Sequence, residues 1–168
     1  MKLYVIRHAE AVEASKTLKD EWRYLTESGR TAAKSVSAAI VKYGSKPRLT
    51  LTSPLTRAVQ TAEFIAAKAC RRNVVQASSL LLPSGKVEDL IVYLQGCQES
   101  KRVVVVGHEP QMGALVAKLL GLEAPVELKK AGCVALVLEP GKDIAEFLWY
   151  QVPGKKCVSS LKKAFTTK

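Results

Sequence analysis

Long apolar runs are missing from this chain of 168 residues. Its most apolar stretches include residues 102–106 and 134–138. Neither approaches the roughly 18 residues that a membrane-crossing helix needs. No secretory leader is visible either. Met1-Lys2-Leu3-Tyr4-Val5-Ile6 runs straight into Arg7, whereas a leader carries an apolar stretch of about 7–15 residues and a small-residue cleavage site. The expectation is a cytoplasmic protein with no membrane partner. Cysteines are few: Cys70, Cys97, Cys133 and Cys157. No two of them have metal-like or C-x-x-C spacing, so they read as reduced and mostly structural. Acids are outnumbered, 15 against 26 lysines and arginines, for a formal charge of +11. Such a balance favours solubility and anionic partners. Part of it is local, since Lys155, Lys156, Lys162, Lys163 and Lys168 follow Pro153-Gly154 with no acid among them. Those lysines are not interleaved with aromatics that would stack on bases, so a solvated end is expected rather than a nucleic-acid arm.

What is present is enough for one domain. Apolar residues make up 48% of the chain, which is ample for a core. No repeat, low-complexity tract or linker divides it. The expected organisation is a single domain over 1–154 and a basic tail over 155–168. Leu3-Tyr4-Val5-Ile6 reads as a buried strand. Residues 9–25 then lack periodicity. Ala33, Val36, Ile40 and Tyr43 mark a helix over about 26–43, stopped by Gly44. Leu49-Thr50-Leu51 is a second strand. Ser53-Pro54 reads as the start of a helix to about Cys70, with Ser53 as its N-cap. Asn73-Val74-Val75-Gln76 is a third, weaker strand, and Val87, Leu90, Ile91 and Leu94 mark the next helix. Residues 102–106 suit a strand covered on both faces. Met112, Leu115, Val116, Leu119 and Leu120 form a helical face ended by Gly121. Strands over about 133–138 and 146–151 flank Pro140-Gly141 as an antiparallel hairpin. This alternation predicts an α/β fold: a three-layer α/β/α sandwich around a mostly parallel sheet, closed by that hairpin.

Histidine is the scarcest chemistry-bearing residue, with two in the chain. Both follow predicted strands, His8 after 3–6 and His108 after 102–106. Arg57 lies in the first turn of the helix after strand 49–51. Parallel strands send their carboxyl ends to one edge of a sheet, where ligands bind in α/β folds. Arg7, His8, Arg57 and His108 are therefore expected to meet. Two guanidiniums and two imidazoles suit a tetrahedral phosphate. Helix N-termini near Ser53 and Pro110 add backbone donors. A neutral imidazole can also attack and carry a covalent intermediate, and His8 beside Arg7 is the better placed of the two.

These segments resemble a known family. Arg7-His8-Ala9 after a first strand, Ser53-Pro54-Leu55-Thr56-Arg57-Ala58-Val59-Gln60-Thr61-Ala62, and Val106-Gly107-His108-Glu109-Pro110 are similar to three motifs of the histidine phosphatase, or phosphoglycerate-mutase-like, superfamily. They fall in the family's order and span nearly the whole chain. Arg7-His8-Ala9-Glu10-Ala11, Asp20-x-x-Arg23-x-Leu25-Thr26-x-x-Gly29-Arg30 and the short length look most like the SixA-type phosphohistidine phosphatase branch. The resemblance implies a phosphoglycerate-mutase-like fold. It implies phosphorylation and hydrolysis at His8, with Arg7, Arg57 and His108 holding the phosphoryl group. It implies no metal or organic cofactor, and phosphohistidine on a protein as the substrate.

The chain departs from the family pattern at the proton donor. Many members carry an acid after the third strand, but Ser79-Leu80-Leu81-Leu82-Pro83-Ser84-Gly85 has none. Glu10 and Asp20, and also Glu13, lie in the loop after His8. Glu109 follows His108, where the acid-phosphatase branch has an Asp. Glu10, Asp20 and Glu109 are the candidate donors or lid residues. An imidazole leaving group demands less than an alkoxide, which suits a phosphohistidine substrate. Loops as long as 9–25 are often functional. Trp22 is expected to pack this one onto the body; the alternative is that Trp22 and Arg23 cover the site or contact a protein substrate. The alternatives are a small-phosphoester phosphatase or mutase on the same pocket, and a phosphate-binding adaptor without useful catalysis. A zinc hydrolase is disfavoured, since two histidines make a thin ligand set. A monomer is the favoured oligomeric state.

Overall fold

The computed structural model describes residues 1–70 and 74–165. Asn73 of the expected third strand and Lys168 of the basic end lie outside the described residues. Among the described residues six strands form one sheet: β1 (Lys2–Arg7), β2 (Leu49–Thr52), β3 (Val75–Ala77), β4 (Arg102–Gly107), β5 (Cys133–Val137) and β6 (Glu146–Gln151). Their order is β3-β2-β4-β1-β5-β6. The pairs β2–β3, β2–β4 and β1–β4 are parallel, and β5 runs antiparallel to both β1 and β6. One reversed strand in six makes the sheet mostly parallel, as the alternation predicts.

Side-chain alternation along the strands builds the three layers. Leu3 and Val5 of β1 enter one core, while Tyr4 and Ile6 enter the other. Val103 and Val105 of β4 follow the first pair, and Val104 and Val106 the second. All eight are fully buried. This is why β1 and β4 read as unbroken apolar runs rather than alternating ones. Helices α1 (Glu27–Tyr43) and α2 (Thr56–Ala69) cover one face through Val36, Ile40, Ala62 and Ile65. Helices α3 (Val87–Gly96) and α4 (Gln111–Leu119) cover the other through Leu90, Leu94, Leu115 and Val116. Thr26 caps α1, its hydroxyl accepting from the Gly29 N–H at 3.0 Å. A side chain at Gly29 would collide with the Glu10 carbonyl, so α1 packs close to the loop leaving β1.

Four expectations need correction. Helix α2 begins at Thr56, not at Ser53. Ser53 does not cap it; its hydroxyl accepts from Leu55 N at 3.3 Å in a local turn and meets His108 instead. The third strand, expected through Gln76, runs over Val75–Ala77 with Val74 outside it. Trp22 does not pack the loop onto the body, being 60% exposed with Lys19 over its ring. The fourth concerns the chain after Gly154. Val158 pairs with Tyr150, and α5 (Leu161–Phe165) lays Phe165 on Tyr150 with ring centres 5.3 Å apart. Apolar residues between the lysines dock that stretch on β6, and composition alone gave no weight to them. Among the described residues no helix is long and apolar enough to cross a membrane.

Candidate active site

The register of the parallel strands sets the site. Arg7 lies beside Gly107 and Thr52 beside Val106, so the three chains leave the sheet side by side. Backbone bonds continue the ladder past it: His8 N donates to Gly107 O at 2.9 Å, and Ser53 N to Val106 O at 3.0 Å. The first residues off β1, β2 and β4 are therefore His8, Ser53 and His108. The His8 and His108 rings stand 4.9 Å apart between centres. Arg57, one residue into α2, is 5% exposed. Arg7, His8, Arg57 and His108 line a single cavity of about 230 Å³. All four residues named from the sequence are brought together.

The hydrogen bonds of His8 settle its tautomer. Its Nδ1 lies 2.7 Å from the carbonyl oxygen of Ala9. A carbonyl only accepts, so Nδ1 carries the proton and Nε2 keeps its lone pair. Burial lowers the pKa of His8 to about 4, and the charges of Arg57, Arg7 and Arg23 push the same way against the Ala9 bond. His108 is lowered to about 3, by burial first and then by His8 and Arg57. Both rings are neutral near pH 7. His108 Nε2 sits 2.8 Å from Ser53 Oγ.

The arginines are anchored at their tips. Arg7 Nη1 donates to Leu128 O at 2.7 Å and lies 3.5 Å from Glu127. Arg57 Nη1 donates to Asp20 O at 2.8 Å, and its Nη2 to Asp20 Oδ2 at 3.1 Å. Arg7 Nε, Arg57 Nε and His108 Nδ1 are buried with no partner among the described residues. Buried polar atoms are seldom left so. Two unpaired guanidinium N–H groups in one cavity fit an anion with several acceptor oxygens.

The three candidate acids separate clearly. Glu10 faces α1, accepting from Thr26 Oγ1 at 3.0 Å and from Ser28 Oγ, and does not line the cavity. Asp20 is bound to Arg57 and, at 3.0 Å, to Arg23. Burial alone would raise its carboxyl, but these two arginines together hold it below its ordinary value. Glu109 lines the cavity, and burial raises its carboxyl. Its Oε1 accepts from Leu128 N at 3.2 Å, and its bond to Pro110 is cis. Arg23 also lines the cavity, with Nε donating to Val12 O at 2.6 Å. So do Glu13, Pro83 and Lys130. Lys130 and Pro83 carry no signal in the sequence, and Ser53 signals only a helix cap. Among the described residues no group of three or more His, Cys, Asp or Glu side chains could hold a metal ion.

Comparison with known proteins agrees with this geometry. Residues 3–80 match the family model of the histidine phosphatase superfamily (branch 1). The chain is 32% identical over 140 residues to an uncharacterised protein of Picosynechococcus sp., covering 81% of this chain and 84% of that one. It is 26% identical to the phosphohistidine phosphatase SixA of Escherichia coli, over 91% and 94% of the two chains. The structure of the protein histidine phosphatase SixA complexed with tungstate superimposes with a TM-score of 0.82 at 25% identity, over 91% and 97%. The chain belongs to the histidine phosphatase superfamily and is a phosphatase of the histidine-nucleophile class, similar to its SixA-type members.

Proposed function

We propose that this phosphatase removes the phosphoryl group from phosphohistidine on a protein, with His8 Nε2 as the nucleophile. The observation that carries the reading is the Ala9 carbonyl on His8 Nδ1, which frees Nε2 within a cavity walled by Arg7, Arg57 and His108. In the first step Nε2 attacks phosphorus and the bond from phosphorus to the substrate nitrogen breaks; the substrate ring enters with a proton on its other nitrogen, so it departs as neutral imidazole. Arg7 and Arg57 hold the phosphoryl oxygens and neutralise charge as it develops. His108, oriented by Ser53, lies against the same group. In the second step water attacks phosphorus, the bond to Nε2 breaks, and phosphate leaves with His8 restored.

The acids favour a nitrogen leaving group. Asp20 is held ionised by its arginines and Glu10 lies outside the cavity. Glu109 alone of the three both lines the cavity and is pushed towards keeping a proton. It is engaged by Leu128 N, which leaves it a modest donor for an alkoxide, whereas an imidazole already protonated on its other nitrogen departs as the neutral ring without one. The rim also suits a bulky partner, since Trp22 is 60% and Tyr24 47% exposed on the loop that carries Asp20 and Arg23.

The test is rapid quenching with a phosphohistidine peptide, phosphoserine and phosphoglycerate, followed by mapping of the labelled residue. Label on His8 and fastest turnover of the peptide are expected, and His8→Ala should abolish both. An intact rate in His8→Ala would overturn the nucleophile. Faster turnover of the phosphoesters would overturn the substrate class.

A further inference from the structure

The fourth wall of the cavity comes from a segment that no motif marks. Residues 126–132 lead into β5 and are fastened to the nucleophile's own backbone. Ala131 N donates to His8 O at 3.2 Å, and Arg7 N donates to Gly132 O at 3.3 Å. Both peptide neighbours of the Arg7–His8 unit are thus tied to this turn. Within the turn, Gly132 N donates to Lys129 O at 2.6 Å, and Ala131 is held at φ 55°. Left-handed backbone is costly for a residue with a Cβ and persists where the surroundings enforce it. Glu109 and Tyr150 brace the same turn, through Leu128 N at 3.2 Å and Lys129 N at 3.0 Å.

The turn sends its two lysines in different directions. Lys129 pairs with Glu127 at 3.4 Å and does not line the cavity. Lys130 lines it together with His8, Arg7, Arg57 and His108. Its ammonium lies 3.7 Å from Glu10 Oε1, at the outer limit of an ion pair, with both side chains about half exposed. The other oxygen of Glu10 is held by Thr26 and Ser28 at the start of α1. A loosely paired ammonium at the mouth of an anion cavity is free to move on its long stem to an incoming charge. Arg7 and Arg57, by contrast, are fixed at their tips and cannot follow the substrate in.

We propose that Lys130 is a further substrate-binding residue, which leaves Glu10 to contact the phosphoryl oxygens when substrate enters. It captures the anion at the mouth of the cavity and adds a fourth positive side chain to Arg7, Arg57 and Arg23. This rests on the phosphatase reading of the cavity, but not on the identity of the leaving group. Because the contact forms on entry and persists through the reaction, it acts on binding more than on turnover.

The experiment compares Lys130→Met, Lys130→Arg and Lys129→Ala with the wild type, each checked for an unchanged melting transition. Vanadate inhibition, KM and kcat are measured with phosphohistidine peptide at several salt concentrations. Lys130→Met should raise both KM and the vanadate inhibition constant about tenfold, the scale of one charge-assisted hydrogen bond, and leave kcat within about threefold. It should also flatten the salt dependence of kcat/KM. Lys130→Arg should recover most of the affinity, and Lys129→Ala should match the wild type. Unchanged vanadate inhibition in Lys130→Met overturns the proposal, as does an equal loss in Lys129→Ala, which would make the effect one of net charge. A wild type that binds vanadate but forms no phosphohistidine at residue 8 would instead overturn the assignment of His8. The vanadate comparison would still decide Lys130.

Discussion

With His8 and His108 the only histidines, an NMR titration of the imidazole ring protons gives two sets of signals, assigned by His108→Asn. An ordinary histidine titrates near 6.5. His8 should titrate near 4 and His108 near 3. The cause is burial first, reinforced for both by Arg57 and for His8 also by Arg7 and Arg23. The kinetic consequence follows from the neutral fraction. At pH 5.5 an imidazole of pKa 4 is about 97% neutral, against about 9% for one of pKa 6.5. Phosphoenzyme formation at saturating substrate should therefore lose less than twofold between pH 7 and pH 5.5. An unperturbed nucleophile would lose about eightfold. The assay is single-turnover quenching with phosphohistidine peptide, read beside the NMR titration. A His8 midpoint at 6 or above would refute the electrostatic reasoning, because it would mean that the arginine charges and the burial do not act on that ring.

Three further outcomes follow from the same geometry. Arg57→Lys should lower kcat/KM by about 10²–10³, since an ammonium cannot hold both Asp20 oxygens and the phosphoryl group; limited proteolysis should then cut within residues 12–24 sooner. Glu109→Gln should keep the Leu128 bond through its amide oxygen, so turnover of phosphohistidine should stay within about threefold while any phosphoester activity falls further. Stability should decline with acid in a defined window. The unfolded chain takes up protons on its histidines below about pH 6.5 while the folded one stays neutral, so stability is fully present above pH 6.5 and is lost as pH falls towards 4 and 3. His8 alone should account for about 2 kcal/mol between pH 8 and pH 5, measured by urea unfolding and diminished in His8→Asn.

The parts of this site that were legible in the sequence are those set by strand register. Residues 3–6 and 102–106 are apolar at every position because both sheet faces are covered, and that signal places their carboxyl ends at one edge. His8 and His108 follow directly, and Arg57 follows from the helix after β2. Ser53 was visible but misread. Ser-Pro before a helix fits an N-cap, yet in the fold its hydroxyl is drawn to His108, 55 residues away, and the helix starts after Leu55. A local rule lost there to a tertiary contact. Trp22 failed differently. Its size argued for burial, but the loop is held by Asp20 and Arg23 through polar bonds and needs no aromatic anchor.

The turn over residues 126–132 was illegible for a reason that applies beyond this chain. Its ties to the site run through the backbones of Leu128, Ala131 and Gly132, and a backbone bond leaves no trace in residue type. Ala131 adopts a conformation that a glycine would advertise and an alanine conceals. Lys130 then reads as one of many lysines in a basic chain. Only the register of β1 against β5, with Ile6 beside Cys133, brings it to the mouth of the cavity. A search for functional lysines in such chains should start from the strand that pairs antiparallel with β1 and look at the residues just before it. Composition does not distinguish one lysine from another, and the sheet decides which charges can meet a substrate.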